Sequence, residues 1–214
     1  MLESFLISLK SLLTDLKDVN AGGSFTGKTT ELSSDEYFSA TANSTAALSS
    51  YNIRVNQLAK NDRVMSDTVN SSDLAGLSAG TYSFQVASGD NDQIIDVELE
   101  GAETKEELMQ IIADAINEAL GDAVSASVFS PKNGESKLSV ISTESGSDNA
   151  IIIKDVTGNA LDAVGLSFNT RSLLSDDGTG GYSTSESDLD AILNLNGVTV
   201  VRGSNTIDDL ISEV

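Results

Sequence analysis

Three serines near the middle of the chain are the residues best suited by type to act as nucleophiles. They are Ser142, Ser145 and Ser147. A serine hydroxyl is a weak nucleophile until a neighbouring base takes its proton, and that base is most often a histidine. The chain has no histidine and no cysteine, which excludes Ser-His and Cys-His systems. No catalytic residue is therefore assigned, and we expect the protein not to be an enzyme.

Two acidic segments offer the oxygen ligands that calcium prefers, Asp90-Asn91-Asp92 and Asp176-Asp177-Gly178. A calcium loop of the helix-loop-helix type beginning at Asp90 would need a glycine at its sixth position and an acidic residue at its twelfth. Ile95 and Gly101 occupy those positions. Both segments are interpreted as turns, and no metal-binding residue is assigned.

Residues 178–181 read Gly-Thr-Gly-Gly and form the chain's best candidate for a phosphate-binding loop. They lack the Lys-Ser/Thr ending and the strand-before, helix-after context of such a loop. We predict a flexible loop and assign no cofactor or cofactor-binding residue. Glu103, Glu106 and Glu107 lie at the start of a predicted helix, where carboxylates favourably meet the positive end of the helix dipole. That position explains them without a catalytic pair.

The composition narrows the classes of partner. The chain has 214 residues, with 12 basic and 33 acidic side chains and a net charge of −21. Such a charge repels phosphate backbones and anionic membranes, so neither nucleic acid nor a membrane is expected as a partner. No apolar run approaches the roughly 20 residues that span a bilayer. The N-terminus is not typical of a signal peptide, because Glu3 and Lys10 interrupt its basic and apolar regions.

Apolar spacing predicts two helices. Residues 2–17 repeat apolar side chains at steps of three and four, which predicts an amphipathic helix with a heptad-like stripe that needs a partner. The stripe consists of Leu2, Phe5, Leu6, Leu9, Leu12, Leu13 and Leu16. That partner is either this domain's own sheet or helices elsewhere. The second helix covers about 104–120, with a capping box formed by Thr104 and Glu107 and with Gly121 at its end. Its predicted buried face consists of Leu108, Ile111, Ile112, Ala115, Ile116 and Ala119.

The rest of the chain reads mainly as strands. Residues 20–50 are loop or weak polar strands, such as 24–30 and 37–42. Alternating apolar residues predict strands over 51–57, 80–86, 94–99, 124–129, 137–142 and 150–156. Turns are predicted at Asn133-Gly134 and Asn196-Gly197, the latter as a tight hairpin. Residues 66–80 are interpreted as a polar hinge and 167–188 as an exposed loop. Asn205 or Thr206 is a candidate cap for a final helical turn.

Several stretches, in order, resemble one family, that of bacterial flagellar hook-associated protein 2, the filament capping protein. YNIRVNQLA at 51–59 resembles the family's "GxYxIxVxQLA" strand, and LKSLLTDLK followed by SFTGKTTELSSDEYFSATANSTAA is similar to the preceding helix and segment. GTYSFQV, AINEAL, VSASVF and KLSVISTESGSDNAI follow the order of its head domain. DLDAILNLNGVTVVRGSNTIDDLI at 188–211 resembles the block that opens the family's second half.

The sequence departs from the family pattern at three places. Ser49-Ser50 stands where a glycine is common, Gly203 stands for a serine, and Ser-Glu-Val follows Ile211. The resemblance implies an internal piece of a longer protein. It also implies an α+β, mainly β fold: an N-terminal amphipathic helix, a β-rich leg-side segment, and a β-rich head domain carrying the helix at about 104–120.

What the resemblance implies about function is assembly. A cap of this family sits outside the cell at the tip of the bacterial flagellum, retains exported flagellin and promotes its folding and polymerisation, so it serves motility. Members reach the tip by the flagellar type III route and form ring-like homo-oligomers, with coiled-coil terminal segments. Implied partners are the protein itself, flagellin, the hook-associated junction protein and, in some bacteria, host mucin.

The same resemblance divides the chain. Residues 1–70 and 190–214 are expected in a leg-side domain, with 190–214 as a returning hairpin, and 76–188 in an outward head domain. Exposed contact surface is expected in the loops at 88–93, 130–136 and 174–188. The alternatives are an extracellular adhesin, or another flagellar junction or flagellin-type protein.

Overall fold

The computed structural model describes residues 28–36 and 38–211, which belong to two compact units, Met1–Tyr51 with Thr206–Val214 and Asn52–Asn205. In the first unit the described residues form no helix or strand. The Thr30 hydroxyl donates to the Ala40 carbonyl at 2.6 Å. Of the two alternatives for 24–30 and 37–42, loop or weak strand, the described residues of these segments form loop. The predicted helix over 2–17 lies outside the described residues.

The second unit contains eleven strands and one α-helix, α1, over Lys105–Leu120. The strands are β1 Ile53–Gln57, β2 Asn61–Met65, β3 Val69–Asn70, β4 Gly80–Ser88, β5 Asn91–Leu99, β6 Val124–Phe129, β7 Glu135–Ser145, β8 Ile152–Thr157, β9 Gly181–Tyr182, β10 Ala191–Leu195 and β11 Val198–Arg202. One-turn 3₁₀ helices cover Ser147–Asn149, Asp162–Val164 and Glu186–Asp188.

The strands form three antiparallel sheets, each named here after one of its strands. The β1 sheet has the order β1-β10-β11 and joins the two ends of the unit. The β4 sheet has the order β5-β4-β8. The β7 sheet has the order β3-β7-β2-β9, with β6 also paired to β7. The chain therefore leaves the β1 sheet after β1, builds the other two sheets and returns to it at β10.

The helix α1 packs against β5 of the β4 sheet and against β6 and β7 of the β7 sheet. Side chains from these elements merge into one hydrophobic core, whose fully buried members include Phe84, Leu108, Ile116 and Leu138. Burying such side chains contributes about 1.5–3 kcal/mol each. Among the described residues no helix is long and apolar enough to cross a membrane.

The helix begins as predicted. The Thr104 hydroxyl accepts the Glu107 amide and the Glu107 carboxylate accepts the Thr104 amide, which completes the capping box. It also ends at Gly121 as predicted, although Gly121 is right-handed (φ −56°) and a side chain there would lie 2.6 Å from the Asn117 carbonyl. The buried face is rotated from the prediction. Its members are Leu108, Met109, Ile112, Ala113, Ile116 and Leu120, whereas Ala119 is exposed.

The predicted hairpins are confirmed. Strands β4 and β5 pair along their whole length from Gly80↔Leu99 to Ser88↔Asn91. Asn133-Gly134 lies in the turn before β7. Asn196 and Gly197 both have positive φ, 52° and 92°, between the paired residues of β10 and β11. This is the two-residue turn whose twist matches antiparallel strands.

Two predictions for the C-terminal part of the chain, a loop and a helical turn, are wrong. Residues 167–188 are not simply an exposed loop, because β9 within them pairs with β2 and Tyr182 is only 3% exposed. The segment is polar in sequence, yet it supplies side chains that neutralise buried groups. The final helical turn is also absent from the described residues, because the Asn205 side chain bonds to the backbone of Ala59 and caps no helix. The fold class, α+β and mainly β, is as predicted.

Candidate functional site

The three serines each have a structural hydrogen bond. The Ser142 hydroxyl accepts the Asp62 amide and donates to the Glu144 carbonyl, and the Ser145 hydroxyl donates to the Gly203 carbonyl. The Ser147 hydroxyl donates to the Asp190 carboxylate at 2.7 Å. These bonds tie strands and turns together, and the Asp190 carboxylate also accepts the Ser147 amide, which makes it part of the turn.

The carboxylates before α1 organise the turn that precedes it. Glu103 accepts the amides of Glu100 and Gly101. Desolvation opposes ionisation of Glu103, but these backbone donors keep its pKa below the usual value. The amide and hydroxyl of Thr104 likewise lower the pKa of Glu107. Lowered pKa values identify these groups as charged caps and not as proton donors at neutral pH.

The two calcium-like segments also act as turns and strand ends. Asp92 accepts the Gln85 side-chain amide across the β4–β5 pair at 2.7 Å. Asp177 accepts the Thr179 amide at 2.9 Å, and the Thr179 side chain and amide lower its pKa. Within residues 28–36 and 38–211 no cluster of three acidic, histidine or cysteine side chains is arranged to hold a metal ion.

The glycine-rich segment 178–181 is packed and not a flexible loop. A side chain at Gly180 would lie 2.4 Å from the Gly165 carbonyl, and one at Gly181 would meet backbone at 2.7 Å. The Gly180 amide donates to Asp67 at 2.6 Å. The glycines allow backbone segments to approach one another closely, which explains them without a bound phosphate.

The buried polar centre of the unit lies at Asp62, Arg171 and Tyr182. Asp62 is fully buried, and its carboxylate receives both terminal nitrogens of Arg171, at 2.5 and 3.0 Å. It also accepts the amides of Arg63 and Ile151 at 2.8 Å. The Arg171 guanidinium lies 4.0 Å from the centre of the Tyr182 ring. These contacts join β2, the residue before β8 and the 167–188 segment.

Tyr182 is the titratable group most affected by this centre. Burial raises its pKa to about 12, and the negative charge of Asp62 acts in the same direction. Its hydroxyl donates to the Ile151 carbonyl at 2.9 Å. Sequence reasoning missed this centre because Asp62 and Arg171 are 109 positions apart and no local motif links them. A lone arginine and tyrosine in a Ser/Gly/Asp-rich stretch were the available signal.

A half-open groove of about 460 Å³ borders the same centre. Its polar lining includes Ser147, Lys154, Asn169 and Arg171, and Phe168 contributes an aromatic wall. Its volume is in the range of small-molecule sites. The groove presents hydroxyl, amide and cationic groups together with the carboxylates of Asp148 and Glu186, so it is suited to hydrogen bonding.

Side chains at the junction between the β1 sheet and the rest of the unit form a second polar network. The Asn205 side chain accepts the Ala59 amide at 2.7 Å and donates to its carbonyl at 2.9 Å, as a paired strand would. The Gln57 side chain donates to the Asp190 carbonyl, and the Asp190 carboxylate accepts the Ser147 amide, both at 2.7 Å. These bonds fix the β1 sheet to the sheets that follow it.

The predicted contact loops differ in their exposure. Residues 89–93 and 130–134 are exposed, but Ser88 and Ser136 are buried. In the loop 174–188, residues 180–182 are buried. The two exposed tips therefore remain candidates for contact surface, together with large apolar side chains on the sheet surfaces. Ile94 is 63% exposed and Val198 65% exposed.

Comparisons with a family model, with curated proteins and with solved structures all point to the same family. A family model described as "Flagellar hook-associated protein 2 N-terminus" matches residues 2–62. The flagellar hook-associated protein 2 of Escherichia coli O157:H7 is 29% identical over 203 residues, covering 94% of this chain. Over most of its length the chain is therefore similar to flagellar hook-associated protein 2.

Solved members of this family have the same fold. A crystal structure of the flagellar cap protein FliD D1-D2-D3 domains from Escherichia coli matches with a TM-score of 0.69 and 27% identity, covering 88% of this chain and 54% of that one. The structure of FliD (HAP2) from Pseudomonas aeruginosa PAO1 matches with a TM-score of 0.61 and 22% identity, covering 79% and 73%. The chain spans about two fifths of the length of the curated relatives, 41% for the Escherichia coli protein.

Proposed function

We propose that this chain is part of a flagellar filament cap that works by assembly at the filament tip and not by catalysis. The observation that carries the proposal is the match to the Escherichia coli cap structure over 88% of the chain. On this proposal the protein lies outside the cell, reaches the tip through the flagellar export route, and promotes the folding and polymerisation of flagellin. Its partners are further copies of itself, flagellin and the junction protein beneath.

The geometry supports a mechanical role. Ser142, Ser147 and the capping Glu107 hold strands, a turn and a helix start in place. The Asp62–Arg171 pair and the Asn205–Ala59 bonds hold the sheets in fixed positions. A subunit that must keep its shape between many neighbours benefits from such fixed positions, because preorganised surfaces lose less entropy on binding.

We also propose a division into a leg-side part, 1–70 with 190–214, and a head, 76–188. The pairing of β1 with β10 supports a returning segment, because it brings 53–57 and 191–195 together. The pairing of β2 and β3 with β7 favours a boundary on the N-terminal side near residue 60 in place of 70.

The proposed function is tested with the full-length protein that contains this chain. It is expressed in a bacterium of the same species whose cap gene is deleted, and filament length and free flagellin in the medium are measured. We expect long filaments and little free flagellin. Export of the protein into the medium without any filament growth would contradict a cap role. Filaments that form but break at the hook would favour a junction protein instead.

A second candidate function is adhesion to host glycans such as mucin, and the groove beside Arg171 favours it. Its hydroxyl and amide groups and its aromatic wall suit sugar hydroxyls and ring faces. The test is binding of the chain to immobilised mucin, with Asn169→Ala and Lys154→Glu as groove variants and Lys132→Glu as a control outside it. Equal binding by all four proteins would exclude the groove as the site.

A further inference from the structure

The charges of the second unit are segregated between its two parts. The body, defined as residues 61–190, has six basic and 24 acidic side chains and a net charge of −18. The segments 52–60 and 191–205, which carry the β1 sheet, have three basic side chains and no acidic one. The three are Arg54, Lys60 and Arg202. The segments that carry the β1 sheet therefore have a net positive charge, whereas the body is strongly acidic.

The body's strand edges are covered or charged. The Asn117 side chain pairs with both the amide and the carbonyl of Ala126 and so covers the edge of β6. The 167–168 segment covers β8, because the Phe168 amide donates to the Ile153 carbonyl. The edge of β5 carries several carboxylates. Covered and charged edges resist accidental pairing with other chains.

No described segment protects the edges of the β1 sheet in this way. Among the described residues no strand pairs with the outer edge of β1 or of β11, and neither strand contains a carboxylate. Strand register places five side chains together on one surface, here called the Arg54 face. They are Arg54, Asn194, Thr199, Ile192 and Val201. Arg54 is exposed and Val201 is 49% exposed, so this face combines a cation with apolar surface.

A complementary surface lies on β5. Asp92, Ile94, Asp96 and Glu98 alternate along its outer side, here called the β5 face. Their carboxylates are held in place across the strand pair: Ser83 donates to Asp96 at 2.6 Å, Gln85 donates to Asp92 and Thr81 donates to Glu98. Ile94, 63% exposed, lies between them. The one cation on the same side of this sheet, Lys154, lies beyond β4.

We propose that the Arg54 face of one copy binds the β5 face of a second copy. Arg54 then meets Asp96 and its neighbours, and Val201 packs against Ile94, which gives an apolar centre with charges around it. Contacts between two acidic bodies repel, so charge selects this pairing over the others. The two faces differ, so the contact is head-to-tail and continues into a ring or a filament of subunits. This inference rests on the proposed self-assembly and names its surfaces.

Charge exchange tests the pairing. Arg54→Glu and Asp96→Arg are each expected to weaken self-association of the chain about tenfold or more, which is about 1.4 kcal/mol. An equimolar mixture of the two variants, or the double variant, restores it, because every contact again joins opposite charges. Lys132→Glu and Asp122→Arg make the same changes of charge elsewhere on the body and serve as controls. Sedimentation velocity at low and high salt measures the association.

Cysteine cross-linking tests the geometry independently. The chain has no cysteine, so only introduced thiols can react. The variant Ile94→Cys with Val201→Cys is expected to form covalent oligomers under mild oxidation. The control variant, Ile94→Cys with Val198→Cys, places the second thiol on the opposite face of the β1 sheet and is expected to stay monomeric.

Three results would overturn the inference: no self-association of the unsubstituted chain at several hundred micromolar and low salt, no rescue by charge exchange, or equal cross-linking by both cysteine pairs. None of these would touch the proposed cap function, because a cap can assemble through other surfaces. A different combination separates the two proposals. If charge exchange and cross-linking succeed but the full-length protein does not restore filaments, the self-contact is supported and the cap function is contradicted.

Discussion

The body and the β1 sheet differ in how much of their apolar surface is buried. The body encloses α1 between two sheets, and large side chains such as Phe84, Leu108 and Ile116 are fully buried. The β1 sheet has three strands of five residues each, and Val198 and Val201 remain about half exposed or more. A sheet so small is marginal alone. The difference predicts that the body is stabilised by its own core, whereas the β1 sheet depends on its junction with the body.

Substitution of Arg171 is expected to cause the largest loss of stability in the body. Arg171→Ala leaves the Asp62 carboxylate buried without its partner, and breaking such a pair costs about 3–5 kcal/mol. Urea denaturation measures the free energy of unfolding. The matched control is Arg54→Ala in the β1 sheet, where an exposed arginine is expected to contribute less than about 0.5 kcal/mol. Similar losses in both variants would break the distinction between the two regions.

Core truncation compares the packing of the two regions directly. Leu108→Ala opens a cavity between α1 and the sheets and is expected to cost about 2–5 kcal/mol. Val198→Ala, at a position 65% exposed, is expected to cost less than about 0.5 kcal/mol. Thermal and urea unfolding of both variants measure the difference. A large loss from Val198→Ala would show that the β1 sheet is packed within the isolated chain.

High pH should act on the body through Tyr182. Its pKa in the folded state is about 12, against 10.0 for an ordinary tyrosine. A raised pKa means that stability is complete below pH 10 and is lost as pH rises from 10 to 12, because only the unfolded chain ionises there. The loss amounts to about 3 kcal/mol above pH 12. Phenolate absorbance and circular dichroism follow it, and Tyr182→Phe should remove this part of the alkaline sensitivity.

Local signals in the sequence predicted much of this body. The capping box of Thr104 and Glu107 and the Asn196-Gly197 turn depend on residues three or fewer positions apart, so propensity and hydrogen bonding fix them locally. The rotated face of α1 could not be predicted. Burial of Met109 and Ala113 depends on the helix being covered by two sheets at once, which widens its buried surface beyond a single stripe.

The two polar networks could not be predicted, because their residues are far apart in the sequence. The sequence separation is 109 positions between Asp62 and Arg171 and 146 positions between Ala59 and Asn205. Neither separation matches a known motif that would predict the contact. The 167–188 segment looked exposed because serine, glycine and aspartate are typical of loops. In the folded chain the same glycines permit close backbone contact and the arginine neutralises a buried charge. The function was predicted from the ordered resemblance to a known family, because the periodicity of apolar residues predicts only helices and strands.

Substitution of Asn205 tests whether the β1 sheet can lose stability while the body keeps its own. Asn205→Ala removes both hydrogen bonds to Ala59 and leaves its backbone groups partly buried without partners, at a cost of about 1–3 kcal/mol. Because these bonds lie at the junction, the loss should appear in the β1 sheet and not in the body. Hydrogen exchange is expected to be about tenfold faster at the amides of β1 and β10 and unchanged in α1 and β7. Asn169→Ala, at an exposed asparagine of the body, serves as the control. Faster exchange throughout the unit would mean that the β1 sheet and the body unfold together, and that the junction is part of one cooperative core.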